Sequence, residues 1–204
     1  QDLKAVSNVI AQTKEKGTPA MLIHCSMHSF WGTYKFGKET SDRSANKKAQ
    51  PLPELLAQWD KENPGKDFPF WGDFTGVAST SHGPKTPIKV SKCCEHDSTK
   101  SLDSKGYTTV NAELYNNFYV TDSVKPLLKG HQESYPKSYY KKMKSGKKLT
   151  EADKAKTKAE AIVMWQVPQG KSEVLGLSLG HGEEEWNQPE FQNLVIDGVN
   201  YLLK

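Results

Sequence analysis

Long apolar runs, a cysteine framework and metal-finger spacings are all missing from this chain of 204 residues. No stretch approaches the roughly 18 consecutive apolar residues of a membrane-spanning helix, so no membrane span is expected. Three cysteines, Cys25, Cys93 and Cys94, are too few for a disulfide scaffold, and the adjacent pair would close a strained ring. There is no CxxC, and the redox compartment is left open. Hydrophobic residues are also scarce, at 35%, with a mean hydropathy of −0.72. The length still suffices for one α/β domain with a substantial core.

Part of the polarity is local. Eleven lysines lie between Lys125 and Lys158, and the chain outside that window is acidic although the total is +4. Such a run reads as a Lys-rich surface insertion at about 127–158, solvated rather than packed. A polyanion site is the sharper alternative, but the stretch lacks the aromatic and arginine interleaving such sites use, and no nucleic acid is expected as a partner. The start at Gln1 rather than Met, with no other targeting signal, favours a periplasmic or extracellular location over a cytoplasmic one.

Apolar periodicity marks the elements. Leu3, Val6, Val9 and Ile10 share one face of a helix over 2–16, which Gly17 stops. Residues 19–24 form a short buried strand that closes on His24. Residues 35–50 read as loop, 52–59 as a short helix, and 64–74 as a packed aromatic loop. Strands are expected at 76–80, 87–90, 114–120, 161–165 and 174–179, the last two joined by a turn at 168–171. The final helix is the clearest, with Pro189 in its first turn and Phe191, Leu194, Val195, Val199 and Leu202 at helical spacing.

Three histidines share one context. His24 ends an apolar strand, His82 sits in a loop after another, and His181 follows a third. In open α/β sheets the ligand crevice lies beyond the carboxyl ends of parallel strands, so neighbouring strands of that kind would bring the imidazoles together.

The segments AMLIHCSMHSFW, FWGDFTGVASTSHGPKTPIKV, AELYNNF and SLGHGEEEWNQPEFQNLVIDGVNYL, in that order, resemble a ThuA-like (trehalose utilisation) domain along the whole chain, interrupted by the Lys-rich insertion. The resemblance implies an α/β three-layer fold, a flavodoxin-like open sheet of the class I glutamine amidotransferase type. It implies one such domain over 1–204, the carboxy-terminal two-thirds, lacking its N-terminal β/α units; another chain or a missing segment would complete the sheet. It also implies carbohydrate metabolism, with a small-molecule sugar of the trehalose or keto-glycoside kind as partner. His28, His82, Glu113 and His181 match as catalytic positions, and His24 and Tyr115 as substrate-binding ones. His96-Asp97 departs from the family's His-Pro, which puts that turn in doubt.

Several chemistries fit these residues. Cys25 follows a strand, as the nucleophile of an elbow does, but Ser26 and Met27 supply no glycine for an oxyanion hole, so a buried structural cysteine is the plainer reading. His28, His82 and His181, with Glu113, are of the type that binds a divalent metal such as Zn²⁺. Without a metal, a near-neutral histidine partnered by Glu113 or Tyr115 would move protons beside a ketone and onto a leaving oxygen. Trp31, Phe70 and Trp71 would stack on a sugar, or simply pack their loop. The acids Glu183, Glu184 and Glu185 suit a helix amino terminus, and one of them beside His181 would set its tautomer. The alternative to any enzyme is a non-catalytic ThuA-like module used for binding or assembly.

Overall fold

Asp2 starts the first helix: its carboxylate accepts from the Ala5 amide at 3.0 Å, offsetting one of the unpaired N–H groups of that end. The computed structural model describes residues 2–30, 34–35 and 50–204. Trp31 and most of the expected loop at 35–50 lie outside the described residues. Helix α1 (Leu3–Lys14) buries Val6 and Ile10, and Gly17 in the left-handed region (φ 79°) turns the chain into strand β1 (Ala20–Ile23).

A small pair, β2 (Tyr34–Lys35) and β3 (Gln50–Pro51), precedes α2 (Pro53–Glu62). The aromatic segment then folds into α3 (Trp71–Thr75), where a packed loop is expected from its proline and glycine. Next come β4 (Val77–Ala78), β5 (His82–Thr86), β6 (Lys89–Lys92) and β7 (Tyr107–Thr108). The single strand expected at 114–120 is two, β8 (Ala112–Tyr115) and β9 (Tyr119–Val120), because Asn116 turns inward to bind residues 79–81. Long β10 (Lys125–Ser134) and β11 (Thr157–Gln169) flank α4 (Lys137–Lys144) and α5 (Glu151–Lys154). The chain closes with β12 (Ser172–Leu177), α6 (Glu183–Trp186) and α7 (Pro189–Leu202).

Six strands form the main sheet in the order β1-β12-β11-β10-β6-β7. β1 and β12 run parallel; the other pairings in this sheet are antiparallel. The result is a mixed α/β architecture with helices on both faces. Strand alternation sorts the core: Met21, Ile23, Leu175 and Leu177 face α7 with Phe191 and Leu194, while Ala20, Leu22, Val174 and Trp165 face α1 and α3 with Val6, Ile10 and Phe74. Gly176 makes room for the Trp165 indole lying across it, where any side chain would collide. Among the described residues no helix is long and apolar enough to cross a membrane.

The Lys-rich segment is not an insertion over all of 127–158. Leu127 and Leu128 are fully buried on β10, flanked by Lys125 and Lys129, so only the tip carrying α4 and α5 stands clear of the sheet. Beyond its neighbours β6 and β12 the β10–β11 hairpin continues as a two-stranded arm.

Candidate active site

The parallel pair β1–β12 sets the site, because both strands deliver a histidine at their carboxyl ends. His24 follows β1 with a backbone in the left-handed region (φ 58°), an unusual geometry for a residue with a side chain. It opens a 3₁₀ turn, His24–His28. That turn is held from two sides: the Ser26 hydroxyl donates to the Ile23 carbonyl at 2.7 Å, and the Trp71 indole N–H donates to the Ser26 carbonyl at 2.8 Å.

After β12, Gly180 (φ 101°) aims His181 back toward His24. Glu185, 1% exposed, fixes this second turn: its carboxylate accepts from the Gly180 amide at 3.2 Å and the His181 amide at 2.8 Å. The Trp186 indole donates to the Gly180 carbonyl at 3.0 Å. The expected acid beside His181 therefore acts on its backbone, not on its ring.

Glu113 and Tyr115 arrive from β8, two residues apart and so on one face. β8 pairs with β5 outside the main sheet, and His82 lies in register with Tyr115. His82 is thus brought in by a separate antiparallel pair, not by a third parallel neighbour as the sequence pattern implies.

One carboxylate gathers these groups. Glu113 is 8% exposed, with Oε2 3.0 Å from His181 Nδ1 and 3.7 Å from His24 Nε2, and Oε1 3.5 Å from His82 Nδ1. The Tyr115 hydroxyl donates to Oε2 at 3.1 Å and lies 3.3 Å from His24 Nε2. His24 Nε2 and His181 Nδ1 are 3.2 Å apart. Around Tyr115 the rings of His24, His28 and His82 sit with centroids 5.6, 4.9 and 5.4 Å away.

Burial holds the His24 pKa below its ordinary value, and the neighbouring charge of His181 lowers it further against Glu113. Burial, then His82 and His24, push His28 down to about 4. Burial alone would raise Glu113, but the His82 charge, the Tyr115 hydroxyl, His181 and His24 together hold it below the usual carboxylate range. The Tyr115 phenol is driven up, first by burial and then by Glu113. Near neutral pH the centre is thus an ionised carboxylate among imidazoles, two of which resist a proton.

That donor set can hold a cation. A tetrahedral ion with ligands at about 2.0–2.1 Å separates them by about 3.3 Å. His24, Glu113 and His181 stand 3.0, 3.2 and 3.7 Å apart, and their ligand atoms all fall within 4.8 Å. The Tyr115 hydroxyl on Glu113 is the kind of outer partner that orients a ligating carboxylate. Of the expected His28, His82 and His181 with Glu113, the trio holds Glu113 and His181; His24 joins them, while the His28 ring lies edge-on to Tyr115.

Two further expectations change. Trp71 is 6% exposed and packs on Phe30 and Phe74, so it props up the His24 turn and offers no face to a sugar. Cys25 is exposed, not buried, and the left-handed residue that marks an elbow is His24, one position earlier.

No protein-family model and no curated protein matches the chain. A solved structure of a Bacteroides uniformis ATCC 8492 protein described as ThuA-like superposes with a TM-score of 0.46 at 17% identity, covering 78% of this chain. The chain spans 65% of that neighbour's length. An overlap this distant carries no functional argument, so the chemistry rests on the side chains.

Proposed function

We propose that this is a ThuA-like protein of carbohydrate metabolism, acting on a trehalose- or keto-glycoside-type sugar by proton transfer among His24, His82, His181 and Glu113. The observation behind it is a single buried carboxylate shared by three imidazoles and a phenol. Such a centre can pass a proton between imidazole and carboxylate, which general acid–base catalysis requires. His82 Nδ1 lies 2.7 Å from the Gly83 carbonyl and donates to it, so Nε2 is left as the basic nitrogen. In this reading Nε2 takes a proton beside a ketone and the C–H electrons form an enolate. The bond to the leaving oxygen then breaks, and that oxygen takes the proton held between His181 and Glu113.

The donor spacing favours a second reading of the same centre, in which His24, Glu113 and His181 hold a divalent cation such as Zn²⁺. When bound, the ion would polarise a sugar carbonyl or hydroxyl. The flavodoxin-like kinship belongs to this proposal as well: β1–β12 is its parallel kernel. Among the described residues β1 is an edge strand, where another chain or segment would add a strand beside the exposed Val9 of α1 and Ile196 and Val199 of α7.

The test is turnover of a 3-keto-glycoside. His181→Ala is expected to abolish it with the thermal melt unchanged; unchanged turnover removes His181 from the mechanism, and no turnover by the wild type leaves the binding or assembly module. Zinc analysis of the purified protein separates the two forms of the centre. About one equivalent, lost in Glu113→Gln, supports the metal; none after zinc loading removes it.

A further inference from the structure

A cavity of about 540 Å³ lies between the β5–β8 pair and the arm of the β10–β11 hairpin. It is within the range of roughly 300–1,000 Å³ typical of small-ligand pockets. His82 and Tyr115 line it, so it opens directly off the histidine cleft. Its frame is braced: the buried Gln132 on β10 donates its amide to the Pro84 carbonyl at 3.0 Å, tying the arm to β5. Asn116 accepts from the amides of Thr80 and Ser81, both at 2.9 Å, and fixes the opposite rim.

The outer wall is where the lysine-rich tip begins. Tyr135 and Lys137 line the cavity. Tyr135 is locked by stacking on Tyr139, with centroids 4.2 Å apart, and by Lys156, whose ammonium sits 5.5 Å from its ring. The one acid on the lining, Glu160, is already matched by Lys129 at 2.7 Å and His131 at 3.1 Å. Lys137 has no carboxylate partner among the described residues. From Lys137 to Lys158 there are nine lysines against two acids, Glu151 and Asp153, which pair with Lys154 and Lys142. Of these lysines Lys137 lines the recess, and an unmatched cation on a concave wall is the arrangement that concentrates anions.

We propose that this cavity is a second subsite of the cleft, binding the remote half of an acidic glycoside that carries a carboxylate or a sulfate. It rests on the reading that the cleft acts on a sugar, and it assigns the lysine-rich tip a role in selecting the substrate. The neutral polar lining suits hydroxyl groups, while Lys137 supplies the charge-assisted contact that separates acidic from neutral rings.

Calorimetric titration of the whole protein with phenyl β-glucoside, its 6-sulfate and phenyl β-glucuronide tests this directly. At least one acidic probe is expected to bind about tenfold more tightly than the glucoside, an advantage that shrinks with salt; the stronger arm identifies carboxylate or sulfate. Lys137→Glu should erase the advantage. The substitution places an acid in the first turn of α4, which favours the helix, and Lys137→Gln serves as the second variant. Equal affinity for all three probes, or an advantage that survives both variants, overturns the subsite while the sugar reading stands. Acidic probes that bind Glu113→Gln as well as wild type sink the sugar cleft and leave the subsite. No binding by any probe overturns both.

Discussion

The histidine cleft and the lysine-rich tip are both dense in charge, and they organise it in opposite ways. In the cleft, Glu113 is nearly buried, and His24, His82, His181 and Tyr115 all reach its carboxylate. The backbone is bent to suit, with His24 in the left-handed region. On the tip, a capping box at Thr150 and Asp153 secures one short helix, Lys142 pairs with that aspartate at 2.6 Å, and most other lysines stand in solvent. Charge that is buried must be matched group by group, whereas exposed charge is matched by water and salt. Substitution should therefore be costly in the first region and nearly free in the second.

The sharpest break of that contrast is Glu113→Ala, which removes the acceptor shared by three imidazoles. We expect turnover to fall about 10²–10⁴-fold, the usual reach of general acid–base catalysis, in steady-state assays with the keto-glycoside. Glu185→Ala tests the support and not the chemistry. Two amides lose their buried acceptor, and chemical denaturation should report a loss of about 2–4 kcal/mol.

The pH dependence probes the same burial more gently. A histidine in the unfolded chain takes its proton near pH 6.5, and folded His28 only near pH 4. Between those values the unfolded chain binds more protons, so stability is full above pH 6.5 and declines as the pH falls toward 4. The loss should be on the order of 2 kcal/mol, and melts of His28→Gln across that window should be flatter. At the other extreme, Lys141→Gln and Lys144→Gln on the tip should shift stability by less than about 0.5 kcal/mol. Cys25→Ser should leave turnover as it is, since the thiol is exposed and outside the bonded group.

Elements whose burial pattern is written in one period were legible: the apolar run of β1, the hairpin strands β11 and β12, and the spaced apolar face of α7. β10 was not, because Lys125 and Lys129 flank the buried Leu127 and Leu128, a register irregularity there breaks the alternation, and lysine count outweighed the rest. Likewise α3 is hidden in a segment whose proline and glycine read as loop. The family resemblance marked His28, His82, Glu113 and His181 as catalytic and His24 and Tyr115 as substrate-binding, but not how they meet. Which imidazole faces which oxygen depends on left-handed turns at His24 and Gly180 and on the docking of β8, none of which has a local signature. Glu185 was visible only as one of three acids, since its work is done on the backbone of residues four and five positions away.

The bonded group also fastens distant stretches of chain. His24 and His181 are 157 positions apart, and Tyr115 reaches His24 across 91. No fragment short of the nearly whole fold can assemble it, so it forms late, after long loops have closed. Anything clasped there would buckle the amino-terminal helix to the final one. Through mass action it would slow fraying and proteolytic nicking at an end of the protein that the ligand never touches.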